Sequence, residues 1–414
     1  MATLNGDDTN NNLIGTLGEI NTIYGLGGND NLYGGYLRDY ISGGSGNDYI
    51  SSREGDDFIN DSSGSNTINS GAGDDTVDLG YAGLGLAATN TVSLDLGDDL
   101  LYAGGQIDII NGGQGIDCVS YVYSSAAVTV SLQRGIGVGG FAESDTFRSI
   151  EDLIGSSYAD NLIGSGAFNT IDGNGGDDFV TGGAGGDDLD GAAGIDTLAY
   201  RKSDMRVVVN LLTGDASGGD AQGDQFYNFE NVDGSELNDS LTGDANANRL
   251  RGFGGNDAMN GGDGNDELSG LDGNDNLNGG IGDDDLFGGN GNDLLFGNIG
   301  ADELYGGLGA DKFVFKTTAD STNAVAGRDI IYDFLASESD RIDLSAIDAN
   351  SAASGNQTFT FIGAAAFSGV NGQVRIRVDA SDTFVFGDIN GDSVADFTVQ
   401  FDDAINLNAS MFIL

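Results

Sequence analysis

The sequence contains no histidine and no proline, and Cys118 is its only cysteine. Without histidine there is no HExxH zinc site, no Ser–His–Asp triad and no Cys–His pair. One cysteine excludes an intramolecular disulfide. Its neighbours in "DCVSY" alternate as in a strand, which reads as a small buried hydrophobe. Proline removes a backbone donor, so its absence suits long hydrogen-bonded ladders in which every N–H is needed. Positive charge is also scarce: 15 Lys and Arg stand against 66 Asp and Glu, a net charge of -51 over 414 residues. Nucleic acid and anionic membrane surfaces are poor partners for such a chain. No apolar run approaches the ~20 residues of a membrane span, so membrane insertion is not expected. The opening "MATLNGDDTN" has no basic n-region and no apolar h-region, so no N-terminal secretory signal is expected. No stretch carries a long helical period.

What the chain has instead is glycine, 72 residues of it, and acid. The two are ordered. From residue 252 the sequence divides into nonapeptides: "GFGGNDAMN", "GGDGNDELS", "GLDGNDNLN", "GGIGDDDLF", "GGNGNDLLF", "GNIGADELY" and "GGLGADKFV". The sixth position holds Asp257, Asp266, Asp275, Asp284, Asp293, Asp302 and Asp311. The eighth holds Met259, Leu268, Leu277, Leu286, Leu295, Leu304 and Phe313. Glycines at positions 1, 2 and 4 open backbone angles closed to other residues, so the first six residues read as a tight turn. The last three read as a short strand whose middle residue points inward. Two nonapeptides then make one coil, and turns two repeats apart stack at about the 4.8 Å strand spacing.

Such stacking puts acids together with no cation from the chain to neutralise them, an arrangement that requires one from outside. Carboxylates and turn carbonyls are hard oxygen ligands suited to Ca2+. Zinc would want His or Cys. The same nine-residue frame recurs upstream at Asp30, Asp39, Asp48, Asp57, Asn66 and Asp75, and at Asp99, Asp108 and Asp117. It recurs again at Asp160, Asn169, Asp178, Asp187 and Asp196, and at Asp239, Asn248 and Asp257. Every Asp in these series is a candidate calcium ligand. The first turns, "GDDTNNNLI" and "TLGEINTIY", carry Asn11 and Asn21 in place of Asp, and little or no metal is expected there.

A larger repeat is laid over the small one. Residues 112–190 align without gaps with 191–269, pairing Asp117 with Asp196, Tyr121 with Tyr200, Phe147 with Phe226 and Glu151 with Glu230. Each copy opens with nonapeptide turns. A strand-like flank follows, "YVYSSAAVTVSLQ" or "YRKSDMRVVVNLL", and the chain then returns to the turns. A smaller insertion falls at 76–93. The expected divisions are a degenerate-to-regular roll at 1–93, roll segments with β flanks at 94–190 and 191–311, and a terminal β module at 312–414.

The nonapeptide series is identified as RTX, the hemolysin-type calcium-binding repeat. After Asp311 the period stops. "DKFVF", "DIIYDF", "DRIDLSAI" and "GDINGDSVADF" resemble the C-terminal β-sandwich module of serralysin-type secreted metalloproteases. The fold class expected is therefore all-β: calcium-binding parallel β-roll segments interrupted by β-strand flanks and closed by that module. Within it, "DINGDSVAD" puts Asp388, Asn390, Asp392 and Asp396 at positions 1, 3, 5 and 9 of a calcium loop. Gly391 and Val399 depart from the EF-hand pattern, and an Asn–Gly turn between strands is the competing reading. The apolar end "INLNASMFIL" resembles the uncleaved signal of type I secretion substrates, or is a terminal strand of the module, or both. The resemblance implies export through type I secretion machinery to the surface or surroundings of a Gram-negative-type bacterium. No carboxylate pair stands out for glycoside hydrolysis, and no enzyme is expected. Two functions remain: a calcium-dependent structural protein of a surface layer, filament or matrix that assembles with itself, and an adhesin-like module binding a surface glycan. Exposed aromatics would favour the second, with Tyr121, Tyr123, Tyr200, Phe226 and Tyr227 as candidates, although core packing explains them equally.

Overall fold

The computed structural model describes residues 1–80 and 88–414. The middle of the insertion expected at 76–93 lies outside the described residues. The fold is built almost wholly of strands, with short 3-10 turns and no α-helix among the described residues. It divides into two compact units. The first comprises Met1–Ala199 with Gln222–Phe229, the second Tyr200–Ala221 with Glu230–Leu414.

The second unit shows most directly how sequence becomes coil. Strand Ala258–Asp263 pairs in parallel with Asn276–Ile281, and that strand with Leu294–Ile299. Strand Glu267–Asp272, between them in sequence, pairs instead with Arg249–Gly254 and Asp285–Asn290. Alternate nonapeptides therefore feed alternate sheets, and every partner is 18 residues away. Eighth-position side chains stack in two columns, Met259, Leu277, Leu295 and Phe313 in one, Leu250, Leu268, Leu286 and Leu304 in the other. None of them is more than 3% exposed. Burying each such side chain is worth about 1.5–3 kcal/mol. The strands run to six residues rather than the three expected, because stacked turns keep pairing: Gly262 sits against Gly280 and Asp263 against Ile281.

The first unit uses the same construction with Ile and Val. Ile23, Ile41, Ile59 and Val77 form one buried column, and Leu32, Ile50 and Ile68 another. The earliest coils are one residue longer, so Ala2 pairs with Asn21 and Asn12 with Asn31. The flank at 121–150 detours through an antiparallel hairpin, Thr129–Ser131 with Ile136–Val138. The chain then rejoins the roll, Thr146 opposite Ile109 and Asp152 opposite Cys118. The second copy forms the equivalent hairpin, Val208–Asn210 with Asp215–Ser217. Tyr121 and Tyr200 are core residues and Phe226 is buried, whereas Tyr123 and Tyr227 are exposed. Cys118 is only half-buried; the residue that enters the core there is Val119.

At the C-terminus the two sheets continue into the closing module. Ile330–Ile331 adds to one and leads to antiparallel Gln373–Val378, Thr383–Asp388 and Phe397–Phe401. Arg341–Asp343 adds to the other and pairs with the last strand, Phe412–Ile413. The terminal "MFIL" is thus structural, with Phe412 buried.

Candidate metal centre

The sixth-position carboxylates form a ladder. In the long run the N–H of Asp257 donates to Oδ1 of Asp275, that of Asp266 to Asp284, that of Asp275 to Asp293 and that of Asp293 to Asp311, at 2.8–2.9 Å. Each carboxylate thus has one oxygen fixed by the preceding coil. The other, Oδ2, is buried with no hydrogen-bond partner in Asp257, Asp266, Asp275, Asp284, Asp293, Asp302 and Asp311. The same holds in the first unit for Asp30, Asp48, Asp57, Asp75, Asp99, Asp117 and Asp178. A buried anionic oxygen without a partner costs several kcal/mol, so a regular row of them points to a cation.

The surroundings of Oδ2 fit that cation. A Cβ built on Gly261 would overlap Asp266 Oδ2 and lie 2.6 Å from the carbonyl oxygen of Gly279. Where such a turn begins with glycine, as at Gly25, Gly173, Gly261, Gly270 and Gly288, it keeps open a space bordered by a carboxylate and a carbonyl of the next coil, both hard oxygen donors. Among the described residues no three acidic side chains converge on one point. Any such centre must combine carboxylates with backbone carbonyls. Burial pushes Asp257, Asp284, Asp302 and Asp311 up to about 7 and Asp266, Asp275 and Asp293 up to about 6, from an ordinary 3.8. The N–H at Oδ1 opposes the shift, and neighbouring acids add to it.

Not every sixth position is of this kind. In Asp39, Asp160 and Asp239, Oδ2 accepts the N–H of the second residue of its own turn, Gly35, Ser156 and Ser235, at 2.5 Å. Asp108 does the same with Gly104 at 3.3 Å. Asn11, Asn21, Asn169 and Asn248 accept from Asp7, Thr16, Ser165 and Asp244 in the same way. These turns are closed by their own side chain. In open turns the second residue takes a left-handed conformation, even where it is Leu26, Arg53, Asp95, Phe253 or Leu271, with φ between 71° and 81°. That rotation turns its N–H away from the carboxylate. The sequence mark of an open turn is glycine at position 4. Closed six-residue turns have Thr9, Leu37, Gln106, Tyr158, Ala167, Leu237 or Asn246 there. A side chain at position 4 meets the preceding coil: a Cβ on Gly264 would lie 2.5 Å from the Asn246 carbonyl oxygen. Asp187 and Asp196 lie in turns of the open form, with Gly183 and Ala192 left-handed.

Family comparison agrees with this geometry. The RTX calcium-binding nonapeptide repeat (4 copies) matches seven stretches, which together span 5–80, 84–117 and 154–198. The domain described as Peptidase M10 serralysin C terminal matches residues 242–413.

The chain carries RTX calcium-binding repeats and a serralysin-type C-terminal domain.

RTX nonapeptides bind multiple calcium ions, and Ca2+ is the cofactor of this β-roll. The RTX chain is also similar to the AlgE6R2 subunit of the Azotobacter vinelandii mannuronan C5-epimerase. Identity is 25%, covering 44% of this chain and 90% of that one, with a TM-score of 0.25. For the AlgE6R3 subunit the values are 27%, 43%, 78% and 0.22. For the extracellular lipase LipA of Serratia marcescens they are 16%, 94%, 40% and 0.18, so the RTX chain spans less than half of that lipase. No curated protein matches.

The RTX ladder also recruits acids outside the nine-residue frame. Asp108 donates its N–H to Asp145 and Asp187 to Asp224, both 37 residues on. Asp117 donates to Glu151, Asp302 to Asp329 and Asp311 to Asp340. The flanks and the closing module thus return a carboxylate to the ladder after each detour. For the flanks the signal lay in the larger repeat, which aligns Asp145 with Asp224; Asp329 and Asp340 lie outside it. In "DINGDSVAD" both oxygens of Asp388 accept loop N–H groups, from Gly391 and Ser393. Asp396 Oδ2 accepts from Ile389, Asp396 Oδ1 from the Asn390 amide, and Asp392 Oδ1 from Val394. That loop is held by its own hydrogen bonds.

Proposed function

We propose that this protein is exported through type I secretion machinery and works outside the cell as a calcium-dependent structural component of a bacterial surface or matrix, which folds and then assembles with itself on meeting Ca2+. The observation that carries the calcium dependence is the row of buried Oδ2 atoms without partners in turns of the open form. In this reading the open-turn Asp residues, with turn carbonyls, are the ligands. The self-closed Asp39, Asp108, Asp160 and Asp239, and the loop residues Asp388, Asn390, Asp392 and Asp396, are not. Bound Ca2+ would supply the positive charge that the buried carboxylates lack. The residues fix one carboxylate oxygen through the ladder and present the other to the gap between coils.

Extracellular calcium modules bind with Kd on the order of 10⁻⁴ to 10⁻³ M, so such sites fill outside the cell rather than in the cytoplasm. Binding then becomes folding free energy. Circular dichroism in chelator and with added calcium is the test, joined to electron microscopy of the same samples. Cooperative gain of β-structure with calcium is expected, together with sheets or filaments that disperse in chelator. A fully folded spectrum in chelator overturns the folding claim. A strict monomer at millimolar calcium overturns the assembly claim.

An adhesin-like role is the second reading. It is favoured by the partly exposed stack of Phe287, Tyr305 and Tyr332, with ring centroids 4.8 and 4.7 Å apart. Both tyrosine hydroxyls donate to Glu303. An aromatic row beside a carboxylate is a surface on which a sugar could stack and hydrogen-bond, and a glycan array in calcium separates the two readings.

A further inference from the structure

Turn 61–66, "DSSGSN", departs from the two turns before it in its stack, 25–30 and 43–48: Asp61 stands where they begin with Gly25 and Gly43, and Asn66 stands where they end with Asp30 and Asp48. The two departures are connected. Asn66 keeps one duty of a sixth-position side chain, since its Oδ1 accepts the N–H of Asp48 at 3.0 Å. It cannot keep the other, because an amide brings no negative charge. Its turn nonetheless carries the sequence mark of the open form, Gly64 at position 4 with φ of 100°, although Ser62 at position 2 is not left-handed. The turns of Asn169 and Asn248 differ on this point, having Ala167 and Asn246 at position 4 and closing on themselves.

Asp61 is fully buried, and neither of its carboxylate oxygens has a hydrogen-bond partner. Ser63 and Asn66 lie close enough to favour its anion without completing a bond to it, and Asp48 is an acidic neighbour. No ion pair among the described residues reaches it. A Cβ built on Gly43, the first residue of the preceding turn in the stack, would overlap Asp61 Oδ2 and lie 2.9 Å from Asp48 Oδ2. The carboxylate thus occupies the position, relative to Gly43 and Asp48, that a glycine carbonyl holds relative to Gly261 and Asp266. Asp48 Oδ2 is itself buried and without a partner.

We propose that Asp61 is a calcium ligand, which supplies from position 1 the negative charge that Asn66 withholds at position 6, so that Asp48 and Asp61 hold one cation between turns 43–48 and 61–66. Ca–O bonds of about 2.3–2.6 Å let one ion reach both oxygens. The inference rests on the open-turn ligand reading given above. Position 1 of this turn is not left-handed, so aspartate stands there without backbone strain.

The test counts calcium on the full chain by equilibrium dialysis, at a free calcium just sufficient to fill the unmodified protein. Asp61→Asn and Asp61→Gly are each expected to bind one ion fewer, and the double variant Asp61→Gly with Asn66→Asp to recover it. Asp284→Asn serves as the reference for an ordinary site. If it loses calcium while both Asp61 variants keep the full count, Asp61 is not a ligand and the inference is overturned. If Asp284→Asn also keeps the full count, the open-turn reading falls, and this inference with it. Should Asp61→Asn fail to fold, Asp61→Gly decides, since its turn then begins as its neighbours do.

Discussion

At the scale of the residue, the sixth-position aspartate has divided duties. Oδ1 belongs to the backbone of the preceding coil and Oδ2 to the gap between coils. In the absence of metal, burial disfavours the charged form and lifts these groups to about 6 or 7, so that a proton competes for the second oxygen. The folded values lie above the ordinary 3.8. Between the two, the folded state binds more protons than the unfolded chain, and stability falls as pH rises. The calcium-free protein is therefore expected to be more folded near pH 5 than near pH 8, with the loss concentrated as pH climbs through the folded values. Saturating calcium should remove or reverse that slope, because metal competes for the deprotonated form. Thermal unfolding followed by circular dichroism in chelator at the two pH values checks this. Equal stability at both would mean that the buried carboxyls are not protonated in the metal-free fold.

At the scale of the element, the unit of function is the turn, and turns come in two kinds. A left-handed second residue opens the carboxylate to the gap. An inward N–H from that residue closes it. Asp284 and Asp39 occupy the same place in the repeat, yet Asp284 Oδ2 has no partner while Asp39 Oδ2 accepts from Gly35. Asp284→Ala is expected to raise the calcium concentration needed for folding by at least about tenfold, the lower range for disturbing a metal site. It removes a carboxylate next to two gaps. Asp39→Ala is expected to leave that concentration nearly unchanged and instead to cost about 1–3 kcal/mol of stability, since it leaves a buried N–H unpaired. Calcium titrations and denaturant unfolding of the two variants separate these effects, and equal calcium dependence would remove the distinction between open and closed turns.

At the scale of the whole molecule, the net charge of -51 must be overcome before the thin Leu and Ile columns can hold the coils together. The N-terminal strand Ala2–Asn5 pairs with Asn21–Gly27, and its exposed side chains alternate with half-buried ones. A strand edge of this kind is a template for another chain. Deleting residues 1–25 is expected to abolish calcium-dependent assembly while leaving calcium-dependent folding of the long run intact. Removal of residues 405–414 is expected to do two things. It should block secretion, and it should weaken the closing module, because Phe412 pairs with Ile342. Secretion at normal level by the truncated form would sink the type I assignment, whatever happens to its stability.

The nine-residue period, the two buried columns and the choice of calcium over zinc were legible in the sequence, because each depends on residue type at fixed spacing. Leu268 and Leu286 had to stack once two nonapeptides made a coil. Hard oxygen donors without histidine left little else for the metal. The tertiary structure decided which acids are available. Asp39, Asp160 and Asp239 look like Asp284 in one dimension, but the conformation of a neighbouring residue turns an N–H onto their free oxygen. Asp145 and Asp340 lie outside the period and return to the ladder only because the chain folds back after a detour. Asp61 reads as a lost glycine until its carboxylate is placed beside Asp48 across the gap between coils. Spacing sets which residues share a face, whereas the direction of a single N–H, settled by packing against the preceding coil, determines whether a carboxylate is already satisfied.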